Sequence, residues 1–464
     1  MRIIIIGGGT CGLGAAWRLN ELGHDDWALC ERSDQWGGLA ASFQDGEGFW
    51  WDFGGHVLFS HYGYFDRLMD NLFDDGKGWI EHRREAWIWM QERFVPYPLQ
   101  NNIHRLPDDI YWECLEGIID IQRNGRPDLP THFGQWIAAT FGEGLAKWFL
   151  LPYNFKVWAC PVDQMDWSWV GERVSPVDLK EILKRSISGK EDSSWGPNAH
   201  FRFPRVGATG AIWRRMASKL PADKISLNKE IVSIDPRHRT VAFQDGTDDQ
   251  YDILLSTMAL TDMVRLAGLD LSGANTGKLK HSATHVVGLG IRGSVPDRLS
   301  TKCWIYFPED NCPFYRATVF SNYSPENVPD SRTQWSLMLE VSESGVKPVD
   351  PDRVVEDVIQ GVLNTNLVSS RDAIHHTWYR SEKKGYPTPS LERNRVLFPL
   401  LSQLESMGIY SRGRFGAWRY EVGNMDHSLM QGVEFANRMI ASGEELTLWY
   451  PQVVNAMHPS GTKR

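Results

Sequence analysis

The chain has 464 residues, 42% of them hydrophobic and 12% aromatic, enough for a sizeable core and roughly three domains' worth of sequence. A net charge of −9 argues against a broad nucleic-acid surface, although a local arginine cluster can still hold an anion. The six cysteines form no C-x-x-C pair, which leaves a metal centre or a disulfide framework unsupported and makes reduced thiols in a cytoplasmic protein the expectation. In chain order, Arg2–Ile6 reads as a β-branched strand, too short an apolar run for a signal peptide or a membrane span. Gly7-Gly8-Gly9-Thr10-Cys11-Gly12-Leu13-Gly14 follows, then a helix, then a strand Trp27–Glu31 ending in an acid. This is G-x-G-x-x-G between strand and helix, with Glu31 near the expected ~20-residue distance. Gly7 allows the tight turn, Gly9 lets the backbone approach a pyrophosphate, and Gly12 lets helix and strand pack closely. The helix N-terminus offers free N–H groups to the phosphates, and Glu31 can accept hydrogen bonds from a ribose.

Gln35–Ala40 carries adjacent glycines, Gly37-Gly38, which permit close backbone approach to a bulky ligand. A Gly-Gly at this offset resembles flavoprotein oxidases and desaturases, and that resemblance turns the expected cofactor from NAD to FAD. The turn Gly54-Gly55-His56 could lay its backbone against an isoalloxazine ring. His56 and His61 are five apart, which suits neither a helical metal pair nor a strand pair.

The segment Phe49–Tyr62 is similar to the flavin-contacting loop of UDP-galactopyranose mutases, the eukaryotic-type branch in particular. Matching stretches run nearly end to end: Val95–Asn102, Pro152–Trp158, Trp195–Ala199, Cys303–Phe307 through Tyr323, Gly385–Pro389, and Gly413–Gly416 through Ser428. The resemblance implies an α/β fold with a discontinuous FAD-binding Rossmann-like domain (1–82, 200–265 and 405–464). It also implies a helical insertion domain (104–190) and a large antiparallel-sheet substrate domain (83–103 and 266–404).

The residues themselves fit such a division. Residues 86–97 alternate, Trp87, Trp89, Gln91 and Arg93 against Ile88, Met90 and Phe94, predicting a sheet with one face toward a cavity. From Pro107 to Lys190 the apolar spacing turns helical, and Ser186–Ser194 is the nearest thing to a linker. Val286–Arg292, Trp304–Phe307, Phe314–Phe320 and Ser336–Val341 read as strands.

The resemblance assigns roles residue by residue. Phe59, Tyr97, Gln100, Phe149, Asn154 and Trp158 fall on substrate positions, most of them at the uridine end. Arg173 and Arg316 match two arginines that hold the diphosphate, a job suited to a planar, permanently charged fork. Trp304, Tyr306, Tyr323, Tyr386 and Tyr420 complete the substrate set. His56 has an orienting role, and Asn198 couples loop position to the flavin redox state. Cofactor positions are Gly7, Gly9, Cys11, Gly12, Glu31, Arg32, Gly37, Gly38, Leu39, Gly54, Gly55, His56, Val232, Met258, Arg414, Asn424, Met425 and Ser428. Met425 stands where the eukaryotic-type pattern has Gln, which affects a side-chain contact but leaves a backbone N–H intact.

The implied reaction interconverts UDP-galactopyranose and UDP-galactofuranose. Reduced flavin N5 is the nucleophile at the anomeric carbon, with no net redox change and no metal. NADPH or NADH is the implied reductant, and the oligomeric state is open, a homo-oligomer included. The alternatives are a mutase for another nucleotide sugar, a flavin amine oxidase or desaturase-like oxidoreductase, and a non-catalytic binder of UDP-sugar.

Overall fold

The computed structural model describes residues 1–73, 77–125, 129–175, 177–191, 199–269 and 276–456. The four isoleucines Ile3–Ile6 form a strand buried on both faces, as β-branched residues in a parallel sheet require. Five strands line up in the order Ile409–Ser411, Ile253–Ser256, Ile3–Ile6, Trp27–Cys30, Ile225–Ser226, all parallel. They come from segments more than 400 residues apart in the chain, so this layer closes only when its C-terminal strand returns.

The helix Thr10–Glu21 covers this sheet and crosses the last long helix, Met425–Ala441. Small residues allow the close crossing: a Cβ on Gly432 would lie 2.0 Å from the carbonyl oxygen of Cys11. A small antiparallel sheet, Ile231–Asp235, Thr240–Phe243 and Asp248–Gln250, packs through Ile231, Ile234 and Val241 onto a cluster that includes Ile4 and Leu254.

The second layer is a seven-stranded sheet. Its order is Ile374–Pro387, His281–Arg292, Gln334–Glu343, Arg316–Val319, Trp304–Tyr306, Ala86–Met90, Arg93–Pro96. All neighbours are antiparallel except Trp304–Tyr306 with Ala86–Met90, so the expected antiparallel sheet contains one parallel pair. One face is closed by the helix Val354–Asn364 through Val354, Val358 and Val362. The alternation over 86–97 does not sort the Ala86–Met90 strand into a buried and an open face. Ile88, Trp89 and Met90 are all buried, because core clusters press on the strand from both sides.

The third unit is helical: Asp108–Asn124, Phe133–Leu145, a π-helical turn Ala146–Leu150, Leu151–Trp158 and Leu179–Ser188. Asp178 caps the last of these, accepting from the N–H groups of Lys180 and Glu181. The stretch read as a linker from Ser186 therefore begins inside a helix, which runs on to Ser188; its end, 192–194, lies outside the described residues. The helical core is rimmed by Tyr97, Tyr153, Tyr306, Tyr386 and Tyr420, half-buried where helices meet sheet. All six cysteines are buried and unpaired with one another. Among the described residues no helix is long and apolar enough to cross a membrane.

Candidate active site

Two adjoining sites emerge, one made of backbone and one of side chains. The first is the turn after Ile6. Gly7 has φ of +101°, and a Cβ on Gly12 would sit 1.9 Å from the Gly7 carbonyl oxygen, so both positions need glycine. Gly9 bridges Gly37, and Gly38 lies against Gly9, which brings the two glycine-rich segments together as one cradle. Glu31 is buried at the strand end. Its carboxylate accepts from the Gly8 N–H at 2.6 Å and from the Ser33 N–H and hydroxyl. Cys11 is buried beneath Gly413, and burial pushes its thiol well above the ordinary range.

Leu39 and Met258 pack on the edge of the neighbouring core, Val232 is exposed on its strand, and Arg32 is exposed. Asn424 precedes the N-terminus of Met425–Ala441, where Met425 is the first helical residue. Ser428 is buried one turn in, its N–H donating to the Asn424 carbonyl. The first N–H groups of this helix have no intrahelical acceptor, and its N-terminus carries the positive end of the helix dipole. The loop before it is held by Arg414, which donates to the carbonyls of Gly385 and Gly423. Glycine turns with room for a pyrophosphate, an acid at the strand end and a helix N-terminus together fit a bound dinucleotide such as FAD.

The second site lies between helical unit and sheet. Arg316 and Glu340 face each other on adjacent strands and form a two-pronged ion pair, both contacts 2.7 Å. Tyr315 donates to the same carboxylate at 2.8 Å, as does the Gly55 N–H at 3.2 Å. Arg316 holds the Glu340 carboxyl below its ordinary range against the effect of its burial. Sequence reasoning placed Arg316 on a diphosphate but missed Glu340. The signal was present: a lone acid inside the apolar run Trp335–Val341 demands a partner.

Arg173 is anchored by a hydrogen bond to the Glu421 carbonyl at 2.6 Å. Its Nη1 is buried with no hydrogen-bond partner among the described residues, and its guanidinium lies 5.6 Å from the Tyr420 ring centre. Arg414 lies over Tyr386 and Tyr420, at 4.9 and 5.6 Å. Trp158 meets Tyr420 and Tyr386 edge-on at 4.7 and 5.8 Å. Phe149, on the π-helical turn, stacks on Tyr153, which in turn meets Tyr306 edge-on. Tyr306 also contacts Tyr97 and Trp304. Tyr323 is fully buried, and its hydroxyl has no partner among the described residues. Burial raises the phenols of Tyr97, Tyr153, Tyr306, Tyr323 and Tyr386 above their ordinary range, so all five are neutral hydrogen-bonding groups at neutral pH.

Not every expected contact lies open. Gln100 is buried and its amide donates to the Ser175 carbonyl, while Asn154 donates to the Leu150 carbonyl one turn back. These amides brace the unit that carries Phe149 and Trp158. Phe59 packs edge-on against His61. Asn198 lies outside the described residues. Sequence reasoning also missed Arg84, buried between Tyr97 and Trp304, and Tyr153. It set His61 aside on spacing, yet His61 binds Asp426 through both its N–H and Nδ1, with His427 packed alongside. That contact spans 365 residues of sequence, which no local spacing rule can see.

The model for flavin containing amine oxidoreductases matches residues 10–271. The chain is similar to a crystal structure of reduced UDP-galactopyranose mutase, with 47% identity over 98% of both chains and a TM-score of 0.95. It is also similar to cyclohexylamine oxidase from Brevibacterium oxydans, with a TM-score of 0.65 over 95% of this chain and 99% of that one; at 14% identity this likeness concerns the fold alone. Among curated proteins, 15-cis-phytoene desaturase from Glycine max is 36% identical over 83 residues, 18% of this chain and only 14% of the desaturase's length.

Proposed function

On the premise that the chain belongs to the flavin containing amine oxidoreductases and, within them, to the UDP-galactopyranose mutases, we propose that it interconverts UDP-galactopyranose and UDP-galactofuranose. The observation that carries this reading is the likeness to a mutase along the whole chain, at 47% identity. The glycine cradle, Glu31 and the helix beginning at Met425 would hold FAD. When bound and reduced, the flavin supplies the nucleophilic nitrogen for the sugar's anomeric carbon, and the reaction carries no net redox change. NADPH or NADH would furnish the electrons.

The chain's own residues bind and orient. Arg173 offers a buried, unpartnered Nη1 to the diphosphate, and Arg316 faces it from the sheet. Glu340 cancels the formal charge of Arg316, so the net positive charge beside Tyr386 and Tyr420 comes from Arg173 and Arg414. That balance suits a leaving group that must be held during ring contraction and must then return. Neutral tyrosine hydroxyls add directional bonds without further charge. Phe149, Tyr153, Trp158 and Tyr306 offer aromatic surface for a uracil.

The test is product analysis. Dithionite-reduced and oxidised protein are each incubated with UDP-galactofuranose and the sugar nucleotides are separated by HPLC. Conversion by the reduced protein alone is the expected result. Conversion by neither form, with UDP still bound, would reassign the cleft to another sugar or to binding without turnover.

A further inference from the structure

Behind the His56 loop lies a carboxyl group that the scheme above does not use. Asp52 ends the strand Trp50–Asp52 and is fully buried. Its Oδ1 accepts from the Ser42 hydroxyl on the paired strand, and Thr209 lies near enough to favour the charged carboxylate. Its Oδ2 is buried with no hydrogen-bond partner among the described residues. His56 Nδ1 lies 3.9 Å from Oδ2, itself buried and without a hydrogen-bond partner among the described residues. Two orphaned polar atoms of opposite appetite thus face each other across a gap about 1 Å too long for a hydrogen bond.

We propose that Asp52 is a positioning residue that stores a proton for His56 and passes it to Nδ1 when an anion comes to the other side of the imidazole. The Asp52 Oδ2–H bond breaks and the His56 Nδ1–H bond forms. No electron moves and no group leaves, and the pair stays neutral overall while its positive end turns toward the anion. The carboxylate left behind is stabilised by Ser42, Thr209 and the new N–H.

The surroundings place the proton on Asp52 at rest. Burial pushes its carboxyl up to about 7, against the pull of Ser42, Thr209 and Arg214. Burial, with Arg316 and Arg414, pushes His56 down to about 4, against the pull of Glu340. A negative charge brought against the imidazole favours the imidazolium and reverses the order. The backbone beside His56 is tied to the sheet, the Gly55 N–H donating to Glu340 at 3.2 Å, so closing the gap falls to rotation of the His56 side chain.

The inference rests on the flavin-binding reading, with reduced anionic flavin as the anion, but not on the identity of the sugar. Its test is the midpoint potential of the bound flavin at pH 7, measured against indicator dyes without sugar nucleotide. It compares wild type, Asp52→Asn, His56→Gln and the double variant, all purified with FAD. Each single variant is expected to weaken binding of reduced relative to oxidised flavin about tenfold, about 30 mV more negative for a two-electron couple. The double variant should fall no further than the singles. A wild-type potential in Asp52→Asn overturns the proposal, and so does an Asp52→Asn shift that persists in full on top of His56→Gln, because that marks a packing effect. Should Asp52→Asn not retain flavin, His56→Gln decides alone: a tenfold loss supports the pair and an unchanged potential overturns it. Conversion of UDP-galactofuranose is assayed on the same wild-type batch, so a missing conversion beside the expected shift counts against the sugar reading only.

Discussion

The glycine cradle and the cleft of arginines and aromatics adjoin, yet they are built from different material. The cradle is mostly main chain: turns at Gly7 and Gly37, the missing side chain at Gly12, and the helix N-terminus at Met425. The cleft is almost wholly side chain, with arginines and aromatics contributed by the helical unit, the seven-stranded sheet and the loop before the last helix. A main-chain site tolerates side-chain change except where a Cβ fills its space. A side-chain site fails group by group, and each failure exposes the partner left behind.

The sharpest test of the cradle is Gly12→Val. A Cβ there would lie 1.9 Å from a carbonyl oxygen, a contact no rotamer relieves. The expected outcome is protein without flavin, read from absorbance near 450 nm per chain, and a markedly lower Tm. Retention of stoichiometric flavin would show that the turn can open and that the cradle is not fixed by main-chain geometry.

In the cleft, the two arginines should separate. Arg316→Ala leaves Glu340 buried and unpaired, so it should cost about 3–5 kcal/mol of stability as well as lowering kcat/KM by about a thousandfold. Arg173→Ala removes one bond to a carbonyl and the proposed diphosphate contact. It should lower kcat/KM about a hundredfold with stability changed by about 1 kcal/mol or less. Flavin content should be unchanged in Arg173→Ala. Chemical denaturation and steady-state kinetics check both, and equal stability losses would remove the distinction between a braced and an open arginine.

Acid should loosen the cleft through Glu421. This buried carboxylate is gripped by Arg393 and Arg419, which hold it at about 2, below the ordinary 4.5, while its main-chain carbonyl anchors Arg173. The folded value is depressed, so the contribution, about 3 kcal/mol, is full above pH 4.5 and is lost as pH falls from 4.5 toward 2. Glu421→Gln should flatten the stability profile over that window, as followed by urea unfolding at stepped pH.

The same division explains what the sequence makes legible. A turn that needs glycines, a strand of four isoleucines and an acid about twenty residues on are local patterns, so the first two strands of the parallel layer and the cradle between them can be read directly. Arg173 and Tyr420 meet across nearly 250 residues, and His61 meets Asp426 across 365, so no periodicity announces them. The assignment of Arg173 and Tyr420 came from likeness to a family, and His61 with Asp426 received none. Glu340 and Asp52, to which that likeness gave no role, were missed because a buried acid declares its need for a partner but not which one.

The smallest expected effect separates function from stability within the cleft itself. Tyr323 is fully buried and its hydroxyl has no partner among the described residues, an arrangement that costs a folded protein about 1–3 kcal/mol. Phenylalanine keeps the ring contacts to Phe201, Phe203 and Phe320 and removes the unsatisfied oxygen. Tyr323→Phe should therefore raise the stability of the ligand-free protein by about 1 kcal/mol. If the hydroxyl is kept for the diphosphate, KM for the sugar nucleotide should rise about fivefold in the same variant, since one neutral hydrogen bond is worth about 1 kcal/mol. Opposite signs in the melt and in KM would show a polar group held in waiting for substrate. A loss of stability with KM unchanged would show instead that the hydroxyl serves the fold.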